Sequence, residues 1–245
     1  RYDRSREVIQ ILKQAWNQNE INFQGNYYNF NLPSSPVKPY QQNGGPLLYF
    51  GGYSTEGVDL CAEFCDVYLM WPDTEEKLKV LISKMLSKAA EYNRTVQFGL
   101  RVHVIVRETE NEAKAYANKL ISKLDLKIGE DIKNRALDSK SLGVSKQTSL
   151  REKADKEYYA EPHLWTGIGL ARSGCGGAIV GNPEQVFNKI KSYIDMGINA
   201  FILSGYPHHQ ECKLFAKYVL PKLKNVHLPE VLGRVPKKTP YTPLG

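Results

Sequence analysis

The sequence predicts an α/β fold built on a parallel sheet with helical crossovers. Two observations carry that prediction. Short continuous apolar runs, the mark of strands covered on both faces, recur at 46–50, 66–71, 96–106 and 200–204. Segments with helical spacing and cap signals lie between them.

The elements follow in order. Val8, Ile9, Leu12 and Trp16 fall at helical spacing, so 6–16 is expected to be a helix. Two aromatic-rich runs flank Gly25-Asn26, which reads as a hairpin or an irregular extended segment over 21–30. Pro, Ser, Asn and Gly dominate 32–45, a loop. The strand at 46–50 closes on Gly51-Gly52, and a helix is expected over 54–64. The strand at 66–71 precedes a helix over 73–92, with Asp73 or Thr74 as its cap. The strand at 96–106 precedes a helix over 110–124. The polar, Lys-rich stretch 125–160 breaks the rhythm and reads as an insertion with some helix and considerable mobility. A Gly-rich turn follows 164–172. Asn182 and Pro183 then open a helix to Met196. After the strand at 200–204, a last helix is expected from Glu211 to Leu220, where Pro221 opposes continuation. The stretch from His227 to Gly245 is expected to be irregular. One domain over 1–230 and a Pro-rich tail over 231–245 summarise this organisation.

Composition excludes several classes. Of 245 residues, 42% are hydrophobic and 24% charged, which argues against disorder, collagen and coiled coils. No apolar run is long enough to span a bilayer, and no partner membrane is expected. The start lacks both an initiator Met and a signal-peptide h-region, so the chain is expected to be a piece of something longer. The net charge of +7 comes from Lys and Arg interleaved with acids, the pattern of a solvated surface rather than a nucleic-acid footprint. Cys61, Cys65, Cys175 and Cys212 lack zinc or redox spacing; buried free thiols in a reducing compartment are expected.

Function in α/β folds gathers at the carboxyl ends of strands. The first such end is Gly51-Gly52-Tyr53-Ser54, running straight into a helix. Glycines allow close backbone approach, and a helix start favours a phosphate. A plain N-cap with turn glycines explains the same residues equally well. In the third strand, period-2 alternation puts Leu100, Val102, Val104 and Val106 on one face and Arg101 and His103 on the other. An interior Arg needs a carboxylate or an anionic ligand. Two ionisable groups side by side on an interior face favour a site over an internal salt bridge. Arg107 continues the alternation at the strand end, where solvation is expected. Arg172 sits in a Gly-rich turn that lacks a P-loop ending; composition favours a flexible surface loop over a flap closing over an anion. Tyr206 is expected near the mouth of the sheet. Trp71 is either pocket wall or core. His208-His209 has no ligand-spaced partners, and no metal site is expected.

The runs Pro46 to Gly52, Phe98 to Glu108, Leu164 to Gly181 and Leu203 to His208 resemble the flavin-dependent alkanesulfonate monooxygenases of the luciferase-like superfamily. The resemblance covers nearly the whole chain in order. It implies a (β/α)8 TIM barrel, here its C-terminal half to two-thirds, with an insertion near 125–160. It implies a two-component enzyme. A separate NAD(P)H-dependent reductase supplies reduced FMN (FMNH2), and O2 oxygenates the carbon bearing the sulfonate, giving sulfite and an aldehyde. Residue by residue, it implies catalytic roles for Arg101, His103, Arg172 and Tyr206. Gly51, Gly52, Ser54 and Tyr2 would hold the flavin phosphate, with Tyr53 replacing a usual small residue, and Trp71 would line the substrate pocket. It also implies a cytoplasmic homodimer or homotetramer, and barrel strands upstream of Arg1. A sister activity on methanesulfonate, dialkylsulfone or long-chain alkane, or a non-catalytic half-barrel, are the competing readings. The paired arginines favour an anionic substrate over an alkane.

Overall fold

A computed structural model describes residues 1–135, 140–170 and 174–237. Helix α1 (Tyr2–Asn17) leads into an antiparallel hairpin, β1 (Glu20–Gln24) and β2 (Asn29–Pro33). Glu7 grips the hairpin turn: its carboxylate accepts backbone N–H bonds from Asn26 at 2.7 Å, Tyr27 at 3.0 Å and Tyr28 at 3.1 Å.

Then the expected alternation begins, with β3 (Tyr49–Phe50), α2 (Thr55–Phe64), β4 (Val67–Met70), α3 (Glu75–Glu91), β5 (Gln97–Val106) and α4 (Glu110–Ile121). The insertion holds α5 (Leu126–Arg135) and α6 (Leu142–Glu152). Three short strands that the sequence does not announce follow: β6 (Tyr159–Glu161), β7 (Leu164–Trp165) and β8 (Ala178–Gly181). The chain continues through α7 (Pro183–Asp195), β9 (Ile198–Ser204), α8 (His208–Tyr218) and a short α9 (Leu228–Val231).

Strands β3, β4, β5 and β9 pair in parallel and in chain order. Strand β5 is the longest, and one edge of it serves two partners end to end. Its residues Gln97 to Leu100 pair with β4, and His103 to Val106 pair with β8. The outward face of β5, Leu100, Val102 and Val104, is buried with Leu78, Met85 and Ile190 from the covering helices. Ile105 joins a smaller cluster with Trp165, Ile168, Ala178 and Val180. This second cluster seats the insertion hairpin beside α4.

The α7 cap works as the sequence suggests, whereas Thr74, the N-cap of α3, makes no side-chain capping bond. Asn182 accepts from the N–H groups of Glu184 and Gln185 in a full capping box, with Pro183 opening α7. Thr74 is the cap residue of α3, while Asp73 accepts from Thr74 N at 2.9 Å.

Four expectations need correction. Arg107 is not solvated: it forms a bidentate pair with the buried Glu211, at 2.7 and 3.1 Å, and lies 3.7 Å over the Tyr116 ring. Helix α8 begins at His208 rather than Glu211, so the two histidines open that helix. Cys61, Cys65 and Cys175 are buried free thiols, but Cys212 is exposed. The stretch after His227 is not wholly irregular. Beyond α9, Arg234 donates to Asp66 at 2.7 Å and to the Gly45 carbonyl at 2.9 Å. Among the described residues, no helix is long and apolar enough to cross a membrane.

Candidate active site

Two groups of side chains gather at the carboxyl ends of the parallel strands. The first surrounds a cavity of about 480 Å³ lined by Tyr2, Gly51, Gly52, Ser54, Leu69 and Trp71, with Arg1, Tyr53 and Glu56. Its floor is the β3–α2 turn. Ser54 caps α2, accepting from Gly57 N at 3.1 Å and donating to the Tyr2 hydroxyl at 3.2 Å. The turn is held from below by Tyr68, whose hydroxyl donates to the Gly52 carbonyl at 2.8 Å. A Cβ on Gly52 would lie 2.9 Å from the Phe50 ring, and one on Gly57 3.1 Å from both Ser54 Oγ and Tyr2 Oη. The turn is therefore packed to the backbone. Insertion residues Ser141, Leu142 and Gly143 complete the cavity wall opposite. Trp71 lines this cavity.

Tyr53 was noted in sequence only as an oversized residue. Its hydroxyl accepts from Trp71 N at 2.8 Å, and Lys146 lies 4.6 Å over its ring. Burial pushes the phenol well above its ordinary value, helped by the charge of Asp73. Tyr53 therefore stays neutral and acts as a rigid bracket between the β3 and β4 ends.

The second group is built on β5. Leu100 pairs with Met70, the last residue of β4, and His103 pairs with Ser204, the last residue of β9. The overhang of β5 thus lifts Arg101 and His103 to the mouth of the sheet. His103 is 1% exposed, and its Nδ1 lies 3.0 Å from Ser204 Oγ. The Tyr206 ring stands 5.5 Å from the His103 ring and 5.0 Å from that of His208. Tyr116 donates to the Tyr206 carbonyl at 3.0 Å, so the Arg107–Glu211 pair supports Tyr206 through Tyr116.

Arg101 decides the chemistry. Its Nε is buried without a hydrogen-bond partner, and no carboxylate pairs with it among the described residues. The internal salt bridge that composes the bland alternative is absent there. Arg101 is half-buried, so only its Nε is removed from water; a guanidinium placed this way without a carboxylate is suited to an anionic ligand. Cys175, expected in sequence only as a buried free thiol, donates its thiol to the Arg101 carbonyl at 3.1 Å and braces the strand from the Gly-rich turn.

The structure thus brings Tyr2, Gly51, Gly52, Ser54 and Trp71 together, and separately Arg101, His103 and Tyr206. Leu69 lines the cavity, and its side chain would meet a Cβ on Gly99 of β5 at 3.0 Å. Arg172 lies outside the described residues. Among the described residues, no cluster of His, Cys, Asp and Glu could hold a metal ion.

The family model for luciferase-like monooxygenases matches residues 1–200. The chain belongs to the luciferase-like monooxygenase family. Its four in-order parallel strands are half of that family's barrel, curled as part of it. A sulfoquinovose monooxygenase from Agrobacterium fabrum is 54% identical over 246 aligned residues, covering 100% of this chain and 64% of that protein. A second sulfoquinovose monooxygenase, from Novosphingobium aromaticivorans, is 49% identical, covering 92% of this chain and 62% of that protein. The chain therefore spans less than two thirds of the length of these curated relatives. Among solved structures, DmoA from Hyphomicrobium sulfonivorans superposes with a TM-score of 0.71 at 16% identity, covering 99% of this chain and 57% of its own. That likeness carries the luciferase-like fold. The relatives' names specify a sulfonated sugar, where the sequence motifs suggested an alkanesulfonate.

Proposed function

We propose that the full-length luciferase-like protein carrying this chain is the oxygenase of a two-component system that desulfonates an organosulfonate. A sulfosugar of the sulfoquinovose type is its substrate. FMNH2 comes from a separate NAD(P)H-dependent FMN reductase, and O2 is the oxidant. In the overall reaction the carbon–sulfur bond breaks and sulfite leaves. One oxygen atom goes to the carbon as an aldehyde, the other to water, and FMNH2 is oxidised to FMN.

The observation that carries the reading is Arg101, half-buried at the mouth of the sheet with a buried, unpartnered Nε. The 54% identity to a sulfoquinovose monooxygenase supports the substrate class. The cavity suits FMN. Its Gly51–Ser54 floor allows close approach, the first turn of α2 leaves backbone N–H groups the helix cannot satisfy, and Arg1 offsets Glu56 at the rim. Reduced flavin supplies the electrons that activate O2. Tyr2, Gly51, Gly52 and Ser54 hold its phosphate, and Trp71 walls the substrate side. Arg101 binds the sulfonate. His103, oriented by Ser204, moves a proton at the reacting carbon, and Tyr206 packs beside it. Arg172 is assigned to the same anionic site through the resemblance alone.

The alkanesulfonate reading stays in play because four separate motif runs resemble that subgroup. The test is sulfite release by the full-length protein in air, with FMN, NADPH and a flavin reductase. Sulfoquinovose is expected to give a higher kcat/KM than any short alkanesulfonate. A reversed ranking selects the alkanesulfonate reading. No sulfite from either substrate, with FMNH2 bound, overturns desulfonation.

A further inference from the structure

Helix α6 belongs to the insertion, yet it touches the first group at Trp71 and the Gly-rich turn beside the second. Near its start, Gly143 packs beneath Trp71, so closely that a Cβ there would lie 2.9 Å from the indole. One turn further on, Gln147 is buried, 6% exposed, and uses both ends of its amide. Its Nε2 donates to the Pro72 carbonyl at 2.7 Å, and its Oε1 accepts from Gly176 N at 2.9 Å. Arg151, four residues later, donates to the Gly169 carbonyl at 3.2 Å. Gly169 and Gly176 themselves touch: a Cβ on Gly169 would lie 3.3 Å from Gly176 Cα. Helix α6 therefore fastens both residues to the end of β4. The next residue back, Cys175, holds the Arg101 carbonyl.

We infer that Gln147 is a positioning residue for the sulfonate site. Its amide fixes Gly176, Gly176 seats Cys175, and Cys175 sets the backbone from which Arg101 reaches its anion. Only an amide of this length serves as donor and acceptor at once across that gap. Leu at 147 offers neither function, and Asn falls one methylene short of spanning both partners. Gln147 touches neither cavity lining nor reacting groups, so it acts through Arg101 rather than on the substrate. The kinetic part of this inference rests on the desulfonation reading; the structural part does not.

The test compares full-length wild type with Gln147→Leu and with Gln147→Asn, which keeps a polar group should the apolar variant fail to fold. Hydrogen exchange is read at the amides of 174–177, and steady-state sulfite release is read alongside the FMN dissociation constant. The expected result is faster exchange at 174–177, with β4 and β9 unchanged. KM for the sulfonate rises by about tenfold, the worth of a lost hydrogen bond or two. FMN affinity stays within about twofold and kcat within about threefold of wild type. Unchanged exchange overturns the inference. So does faster exchange with an unchanged sulfonate KM, or a KM rise matched by lost FMN affinity, which would mark Gln147 as merely structural. If wild type itself releases no sulfite, the function reading falls, and exchange alone decides whether Gln147 holds the turn.

Discussion

Replacing Glu211 by Gln isolates the support beneath Tyr206. Glu211 is 4% exposed at its side chain and Arg107 17%, so neither charge is well solvated. Removing one member of a buried pair costs ~3–5 kcal/mol, because the other charge is left stranded. Here the loss is smaller. The amide oxygen of Gln still accepts one of the two bonds, and Arg107 keeps its 2.7 Å bond to the Val106 carbonyl and its seat on Tyr116. About 2 kcal/mol remains as the expected destabilisation. At roughly 2–4 °C per kcal/mol for a domain of this size, Tm falls by about 4–8 °C. Urea unfolding and thermal melting of the full-length protein at pH 7 measure it, with an unchanged m-value showing that the unfolded state is the same. Arg107→Met combined with Glu211→Leu removes both charges and is expected to cost less than Glu211→Gln alone. A Glu211→Gln protein within ~0.5 kcal/mol of wild type would refute the claim that this pair is dry.

Two further outcomes follow from the same geometry. Gly57→Ala puts a Cβ 3.1 Å from both Ser54 Oγ and Tyr2 Oη. Helix α2 gains up to ~1 kcal/mol from the better helix former while Tyr2 is displaced, so stability holds or rises as FMN affinity drops about threefold or more, read by flavin fluorescence titration. Glu75 gives a pH dependence. Burial pushes its carboxyl up, but hydrogen bonds from Lys189 at 2.7 Å and Ser192 at 2.8 Å, with the Lys189 charge, outweigh it and hold the group below its ordinary 4.5. A depressed carboxyl stabilises the fold above its unfolded value and loses that contribution as pH falls through its folded value. Urea midpoints should therefore drop below about pH 4.5 in wild type and drop less in Glu75→Gln; parallel pH profiles for the two proteins would contradict this.

The strands covered on both faces were the legible part of the fold, since 66–71, 96–106 and 200–204 announce themselves as unbroken apolar runs. Strand β8 was hidden because Gly176-Gly177 runs straight into it and reads as turn. Of the site, the Gly51–Ser54 turn and the Arg101–His103 alternation were visible because each depends on local order along the chain. Alternation tells which face a side chain takes and nothing about its partner. Arg107 was therefore misjudged, its carboxylate lying 104 residues away. Gln147 left no mark at all, because its partners are backbone groups at Pro72 and Gly176, and a carbonyl or N–H has no residue type to recognise.

The bonds from Arg234 to Asp66 and Gly45 can form only once residue 234 has been made. They join residues 168 and 189 positions apart, among the longest-range contacts in the chain. Asp66 also accepts from Leu48 N at 2.8 Å, which ties the entrances of β3 and β4 together. Until residue 234 is made, Asp66 keeps its bond from Leu48 N and has Arg94 at 3.9 Å, but lacks its nearest cation, Arg234. Strands β3 and β4 are thus latched by a residue far downstream of both. Interrupting translation before Arg234 leaves β3 and β4 paired but unlatched, a species more open to chaperones and proteases than the finished chain.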